Sequence, residues 1–215
     1  MPPEGELIAL DEATSHHLLR VTGIAPGEAV EIFDGAGEAA EAALVKVEEG
    51  TAVLNVIRRW SDEKADHTTH VLLGQTRAQV LDSTLRMVTE LGVSSIQIVH
   101  MARSVAKGDK RERWLRIIAS AAAQCGRTVL PDLHDPDSLL GAIQGREGVR
   151  MVMVPGAKAQ RPTQGAVHLL VGPEGGITPD ELVQVEAAGW SRAGLGSTVL
   201  RADTAAVAAV ARYGA

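Results

Sequence analysis

The sequence is poor in cysteine, aromatic residues and net positive charge, and each shortage removes a class of explanation. Among 215 residues there is one cysteine, Cys125. That excludes an intrachain disulfide and a cysteine-clustered zinc site, and Cys125 reads as a small buried side chain. Three Trp, one Tyr and one Phe are the only aromatic residues. The core must therefore come from Leu, Val, Ile and Ala, and there are too few rings for a base-stacking platform. No stretch approaches the ~20 apolar residues of a membrane span. The opening residues MPPEGELIAL have neither a basic segment nor an apolar run suited to a secretion signal, so the expectation is a cytoplasmic protein. A formal net charge of −6 argues against a uniformly basic nucleic-acid binder.

That average hides an asymmetry. Residues 1–60 hold eleven acidic side chains against four basic ones, a net −7, which leaves +1 for residues 61–215. A polyanion site belongs in the second part. With 45% apolar residues and a mean hydropathy of +0.04, the chain suits one large globular domain or two unequal ones.

From Leu7 to Trp60, short apolar runs (AVEIF, AALVKV, TAVLNVI) alternate with turn signals at Pro26-Gly27, Asp34-Gly35, Gly37 and Gly50. This pattern predicts a small antiparallel barrel. The polar segment SDEKADHTT (61–69) reads as a linker, with domains at 1–64 and 65–215. Beyond it, strand and helix alternate. HVLLGQ and SIQIVH read as buried strands around a helix from Gln79 to Leu91 that Gly92 ends. A second helix runs from Lys110 to Gln124 with Gly126 as its C-cap, placing Trp114, Ile117, Ile118, Ala121 and Cys125 on one face. RMVMV (150–154) and AVHLLVG (166–172) are further strands. A helix starts at Pro179, and an alanine-rich helix runs from Asp203 to Arg212. The fold class is α/β with a largely parallel sheet.

Three segments carry chemistry. In GPEGGITPDE, Thr178 as N-cap, Pro179 at the first helical position and Glu181 three residues after the cap form a complete helix start. Gly172, Gly175 and Gly176 let a ligand approach bare backbone amides, although a tight strand-to-helix connection needs the same residues. LGSTVLRADTA is a second glycine turn entering a helix, where Asp203 or Thr204 would serve as cap. The alanines at 205, 206, 208, 209 and 211 require something close by, either the domain's own sheet or a second subunit. Between residues 103 and 127 lie Arg103, Lys107, Lys110, Arg111, Arg113, Arg116 and Arg127, seven of the 21 basic residues, opposed by Asp109 and Glu112. Lys110, Arg113 and Arg116 recur every three residues, which describes either a solvated helix face or a phosphate-binding one.

Weaker patterns carry less. Gly35 to Ala40 matches a dinucleotide fingerprint, but Asn55 stands where an acidic ribose ligand is needed, so Asp34-Gly35 reads as a hairpin turn. His67 and His70 lack a third ligand, and no metal site is expected. His16 and His17 are adjacent, and His100 and His168 have no visible nucleophile partner.

With these residues in place, the chain resembles the RsmE family of bacterial 16S rRNA uridine N3-methyltransferases, in the SPOUT superfamily. The resemblance spans HHLLRV, AVEIFDGAGEAAEAAL, TELGVSSI, ARSV, RWLRIIASAAAQCGR, VGPEGGITPDE and LGSTVLRADTA. It implies an RNA-binding PUA-like β-barrel, a SPOUT α/β domain with a C-terminal trefoil knot, and a homodimer. It also implies S-adenosyl-L-methionine as cofactor and a uridine of 16S rRNA in the small ribosomal subunit as substrate. The cofactor residues it implies are Pro155, Leu170, Gly172, Pro173, Glu174, Gly175, Gly176, Leu195, Gly196, Val199, Leu200, Arg201, Thr204 and Ala205. Arg201, Asp203 and Glu174 become the catalytic candidates, and Arg20 joins the basic stretch as RNA ligands. Departures from the family pattern fall on charged positions: Val21 to Gly23 lacks an arginine, Met87 replaces a lysine, Ala123 replaces a glutamate and Asp203 replaces a glutamate. Two alternatives stay open: a SPOUT methyltransferase acting on another rRNA or tRNA position, and a non-catalytic RNA-binding or ribosome-assembly protein. Generic nucleotide binding is disfavoured, because no phosphate-binding lysine follows GPEGG.

Overall fold

The change of hydrophobic period near residue 64 coincides with a change of fold. In the computed structural model, which describes residues 1–62, 68–105, 109–159 and 165–214, the chain divides into two compact units, Met1–Lys64 and Ala65–Ala215. Most of the linker segment, with His67, lies outside the described residues. No described helix is long and apolar enough to cross a membrane.

The first unit contains β1 (Leu7–Ala9), α1 (Glu12–His16), a π-helical turn (His17–Thr22), β2 (Ala29–Phe33), β3 (Glu38–Glu48) and β4 (Thr51–Ser61). The strands form an antiparallel sheet in the order β1-β4-β3-β2. Asp34-Gly35 is a hairpin connection: Asp34 Oδ1 accepts from the amides of Ala36 at 2.7 Å and Glu38 at 3.1 Å. Leu18, Ala42, Leu44, Ala52 and Leu54 make the core. Ser15 Oγ fastens α1 by accepting from the Ala52 amide at 3.0 Å. Among the described residues the antiparallel strands that the turn signals predict are present, paired in one sheet with β1 and β2 at its ends.

The second unit is a six-stranded, wholly parallel sheet, ordered β10-β8-β9-β5-β6-β7. Its elements are β5 (Thr69–Gly74), α2 (Ala78–Glu90), β6 (Ser95–His100), α3 (Arg111–Cys125), β7 (Asp132–Ser138), α4 (Leu139–Ile143), β8 (Val149–Met153), β9 (Val167–Val171), α5 (Pro179–Ala187), β10 (Ser191–Ala193) and α6 (Ala202–Tyr213). Strand side chains alternate between two helical layers. Val71, Leu73, Met151, Met153, Leu169 and Val171 pack with α2, α3 and α6; Leu72, Val152 and Leu170 pack with α4 and α5. Both faces are covered, which explains why the central strands β5, β6, β8 and β9 are largely apolar, whereas the edge strands β7 and β10 are not.

Several local expectations change. Cys125 is exposed, although its spacing continues the stripe of Trp114, Ile118 and Ala121, which are buried. The N-cap of α6 is Arg201 rather than Asp203 or Thr204, and it makes no side-chain cap bond. Asp203 Oδ1 instead accepts from the Thr204 amide at 2.8 Å, inside the first turn. Of the alanines of α6, Ala206 and Ala209 are fully buried within the domain's own core, Ala205 and Ala208 are half-buried and Ala211 is exposed. β7, α4 and β10 were not foreseen, since DLHDPDS has no apolar run and the other two elements are short.

Candidate active site

Parallel strands deliver their C-terminal loops to one edge of the sheet, where open α/β sheets bind ligands. Here the loops after β5, β8 and β9, with residues 194–201, surround a cavity of about 530 Å3.

The glycine turn after β9 is locally determined. Thr178 Oγ1 accepts from the Glu181 amide at 3.2 Å, and Glu181 Oε2 accepts from the Thr178 amide at 2.9 Å, the reciprocal box the spacing predicts. Glu181 Oε1 also accepts from the Ala102 amide at 2.7 Å, tying the loop after β6 to the start of α5. At Gly172 a Cβ would meet Ile177 Cγ1 at 2.7 Å, so only glycine fits. Two arginines brace the turn from neighbouring loops: Arg103 Nη1 donates to the Gly175 carbonyl at 2.8 Å, and Arg77 Nε lies 3.2 Å from Glu174 Oε1. In the second loop, Gly196 adopts φ +137°. The Gly194 amide donates to the Lys158 carbonyl at 3.2 Å, and Tyr213 Oη donates to the Gly194 carbonyl at 2.6 Å.

Of the predicted cofactor residues, Pro155, Gly172, Pro173, Glu174, Gly176, Leu195, Gly196, Val199, Leu200, Arg201 and Ala205 line the cavity. Leu170 does not, being fully buried with α4 and α5. Gly175 faces Arg103, and Thr204 is exposed beside the cavity. Among the catalytic candidates, Glu174 and Arg201 line the cavity; Asp203 does not, and pairs with Arg201 Nε at 3.6 Å. Sequence reasoning missed Arg77 and Val80 from the loop after β5 and α2, and Met153, Val154, Val171, Ile177, Leu182, Thr198 and Ala202. Strand ends at Met153 and Val171 carried a usable signal, because ligands collect there in parallel sheets. Arg77, a single basic residue between two elements, carried none.

The walls are apolar, from Met153, Val154, Ile177, Leu182, Leu195 and Leu200, with Val199 on the lip at 82% exposure. Thr198 supplies the one side-chain hydroxyl among the lining residues. Such a cavity suits a small ligand with a large apolar part gripped by backbone groups, with Arg77, Glu174 and Arg201 as the ionic groups of its lining.

The basic stretch divides. Arg127 is turned inward: its Nη1 and Nη2 donate to the carbonyls of Thr89 and Val93 at 2.8 and 2.7 Å. Arg111 pairs with Asp135 and donates to the Leu133 carbonyl, fixing β7. Arg113 is clamped to Asp82. Lys110 and Arg116 are exposed on α3, Arg20 is exposed in the first unit, and Lys107 lies outside the described residues. Among the described residues no cluster of His, Cys, Asp and Glu could hold a metal. The His70 ring stacks on His168 at 4.5 Å.

Comparison with known proteins agrees with this geometry. A model described as an RNA methyltransferase domain matches residues 63–214, and one described as an RNA methyltransferase PUA domain matches residues 10–57. Ribosomal RNA small subunit methyltransferase E of Mycobacterium bovis is 30% identical across 100% of this chain and 88% of its own length. The Synechocystis protein of the same name is 29% identical, covering 97% of this chain and 73% of its own. Among solved structures, ribosomal RNA small subunit methyltransferase E of Neisseria gonorrhoeae, bound to S-adenosyl methionine, superposes with a TM-score of 0.90 at 30% identity, over 98% of this chain and 92% of that one. By the extent of the domain match and the full-length relative, this chain belongs to the ribosomal RNA small subunit methyltransferase E family of RNA methyltransferases.

Proposed function

We propose that the protein transfers a methyl group from S-adenosyl-L-methionine to N3 of a specific uridine in 16S rRNA, acting on the small ribosomal subunit in the cytoplasm. The observation that carries this reading is the apolar cavity walled by two glycine loops, with Glu174 and Arg201 among its lining residues. The residues fit the cofactor: Gly172 admits no side chain, Gly196 holds a backbone angle that suits glycine, and Val199 stands uncovered on the lip. Pro155, the 172–176 turn, the 195–201 loop and Ala205 would hold it. When bound, it supplies a methyl group on a sulfonium, open to in-line attack.

The chain's residues then have three tasks. Uracil N3 carries a proton that must leave before nitrogen can attack, and Glu174 is the lining carboxylate that takes it. As negative charge spreads onto the uracil carbonyls, Arg201 donates to one of them. Asp203, outside the cavity and 3.6 Å from Arg201 Nε, orients that guanidinium rather than receiving the proton. Holding both reactants in one water-poor cavity supplies part of the acceleration.

Arg20, Arg103, Lys110, Arg113 and Arg116 remain RNA-contact candidates, and the first unit is read as the RNA-binding PUA-like domain. Arg111 and Arg127 drop out, because they are half-buried and two donors of each serve the fold, whereas Arg103 and Arg113 stay exposed. A C-terminal knot and a homodimer complete the reading. Support for the knot is the hydrogen bonding of Gly194 to both Lys158 and Tyr213, which brings two loops and the last helix to one point. The acidic first unit and the neutral residue at Met87 favour one second reading, a different rRNA or tRNA target for the same chemistry. Arg201→Ala is expected to lower methyl transfer by about 100-fold and cofactor affinity, measured by calorimetry, much less. Equal losses in both would remove its catalytic role.

A further inference from the structure

On the face of the parallel sheet covered by α2 and α3, an arginine cluster lies outside the cofactor cavity. Asp82 and Arg86, one turn apart on α2, face Arg113, Arg116, Ile117 and Ser120 of α3 across a groove of about 400 Å3. The carboxylate in the groove is already engaged. Arg113 Nε lies 3.3 Å from Asp82 Oδ1 and its Nη2 contacts Oδ2, and the Asp82 side chain is only 12% accessible. Arg116 Nε donates to the Glu112 carbonyl at 3.3 Å, within its own helix. Among the described residues, neither Arg86 nor Arg116 is in ion-pair contact with a carboxylate.

This arrangement is unexpected on charge alone. The protein has 27 acidic residues against 21 basic ones, and Glu90 and Glu112 stand four residues from Arg86 and Arg116, the spacing at which helical ion pairs form. Neither pair closes. Two exposed guanidinium groups are left lining one groove with no ion-pair partner among the described residues, an arrangement that an anion would complement. Guanidinium forks match the oxygens of a phosphodiester, Ser120 adds a hydroxyl, and Ile117 gives an apolar patch against which a sugar can rest.

We propose that this groove binds the phosphodiester backbone of the RNA substrate, with Arg86 and Arg116 as phosphate ligands and Asp82 holding Arg113 at the groove wall. The proposal rests on the RNA-substrate reading above and adds a contact surface, with Arg86 as a ligand from a helix outside the basic stretch. The test compares wild type with the Arg86→Gln/Arg116→Gln double variant, titrating naked 16S rRNA over a potassium chloride series. Loss of two phosphate contacts predicts a fall of roughly 1 to 2 in the slope of log affinity against log salt. RNA affinity at low salt should drop about tenfold or more, with cofactor affinity and melting temperature unchanged. The Arg86→Lys/Arg116→Lys pair keeps both charges and should keep the slope, and the single variants Arg86→Gln and Arg116→Gln, each expected to lower the slope by roughly 1, decide the matter if the double variant folds poorly. A wild-type slope in the folded glutamine variant overturns the groove alone, whereas absence of RNA binding by wild type overturns the RNA reading with it. Full displacement of RNA by inorganic phosphate at constant ionic strength would instead assign a free-anion site and overturn the proposal.

Discussion

Arg127 follows Gly126 at the end of α3, and its guanidinium reaches back to the carbonyls of Thr89 and Val93, where burial lowers its pKa from the ordinary arginine value. Two charge-assisted bonds to carbonyls with no other side-chain donor make Arg127→Ala costly. The expected loss is about 2–3 kcal/mol in urea unfolding, with the salt dependence of RNA binding unchanged; a reduced slope would return Arg127 to the RNA face. Arg86 is the opposite case. The basic stretch was visible as a run of charge, but a run does not tell which guanidinium turns inward, because the Thr89 and Val93 carbonyls lie more than thirty residues away in sequence. Arg86 stood outside the run and only the packing of α2 on α3 gives it neighbours. Arg77 was hidden for the same reason, since its partner Glu174 lies 97 residues along the chain.

At the scale of elements, legibility followed the range of the interactions. The start of α5 was readable because Thr178 and Glu181 satisfy one another within a single turn with Pro179 at the first helical position, and Gly126 closes α3 with φ +72° as a C-cap should. Thr178→Ala is therefore expected to cost about 1 kcal/mol. Glu181→Gln should cost more, because Oε1 also accepts from the Ala102 amide and so couples α5 to the loop after β6. Thermal unfolding of both variants checks the order, and equal losses would mean the long-range bond contributes nothing. The start of α6 was misread because Asp203 and Thr204 are both good caps by composition, and the choice of Arg201 depends on how the 194–201 loop leaves the sheet. β7 escaped notice because its pairing with β6, rather than its own polar residues, makes it a strand.

At the scale of the whole molecule, the two edges of the parallel sheet do different work. The C-terminal edge holds the cavity, while near the N-terminal edge the rings of His70 and His168 stack, each second in its strand. Burial, and after it the charge of neighbouring His70, together lower the His168 pKa from 6.5 to about 4. The folded form thus prefers neutral imidazole, and the unfolded chain takes up the proton first as pH falls. Stability is fully present above pH 6.5 and declines as pH drops from there toward about 4. His168→Gln should flatten that decline in denaturant titrations taken across the window; an unaltered profile would place the acid sensitivity elsewhere. The two glycine loops that wall the cavity were visible in the sequence as turns, but their spacing left open whether they hold a ligand, and only the family resemblance implied a cofactor there; the groove between α2 and α3 needed the fold. The most direct measurement of the central claim incubates the protein with labelled S-adenosyl-L-methionine and small ribosomal subunits from cells lacking its gene, then maps the product nucleoside by mass spectrometry. The account predicts one N3-methyluridine per 16S rRNA. A methyl group on any other atom, or none transferred under conditions where the cofactor binds, would contradict it.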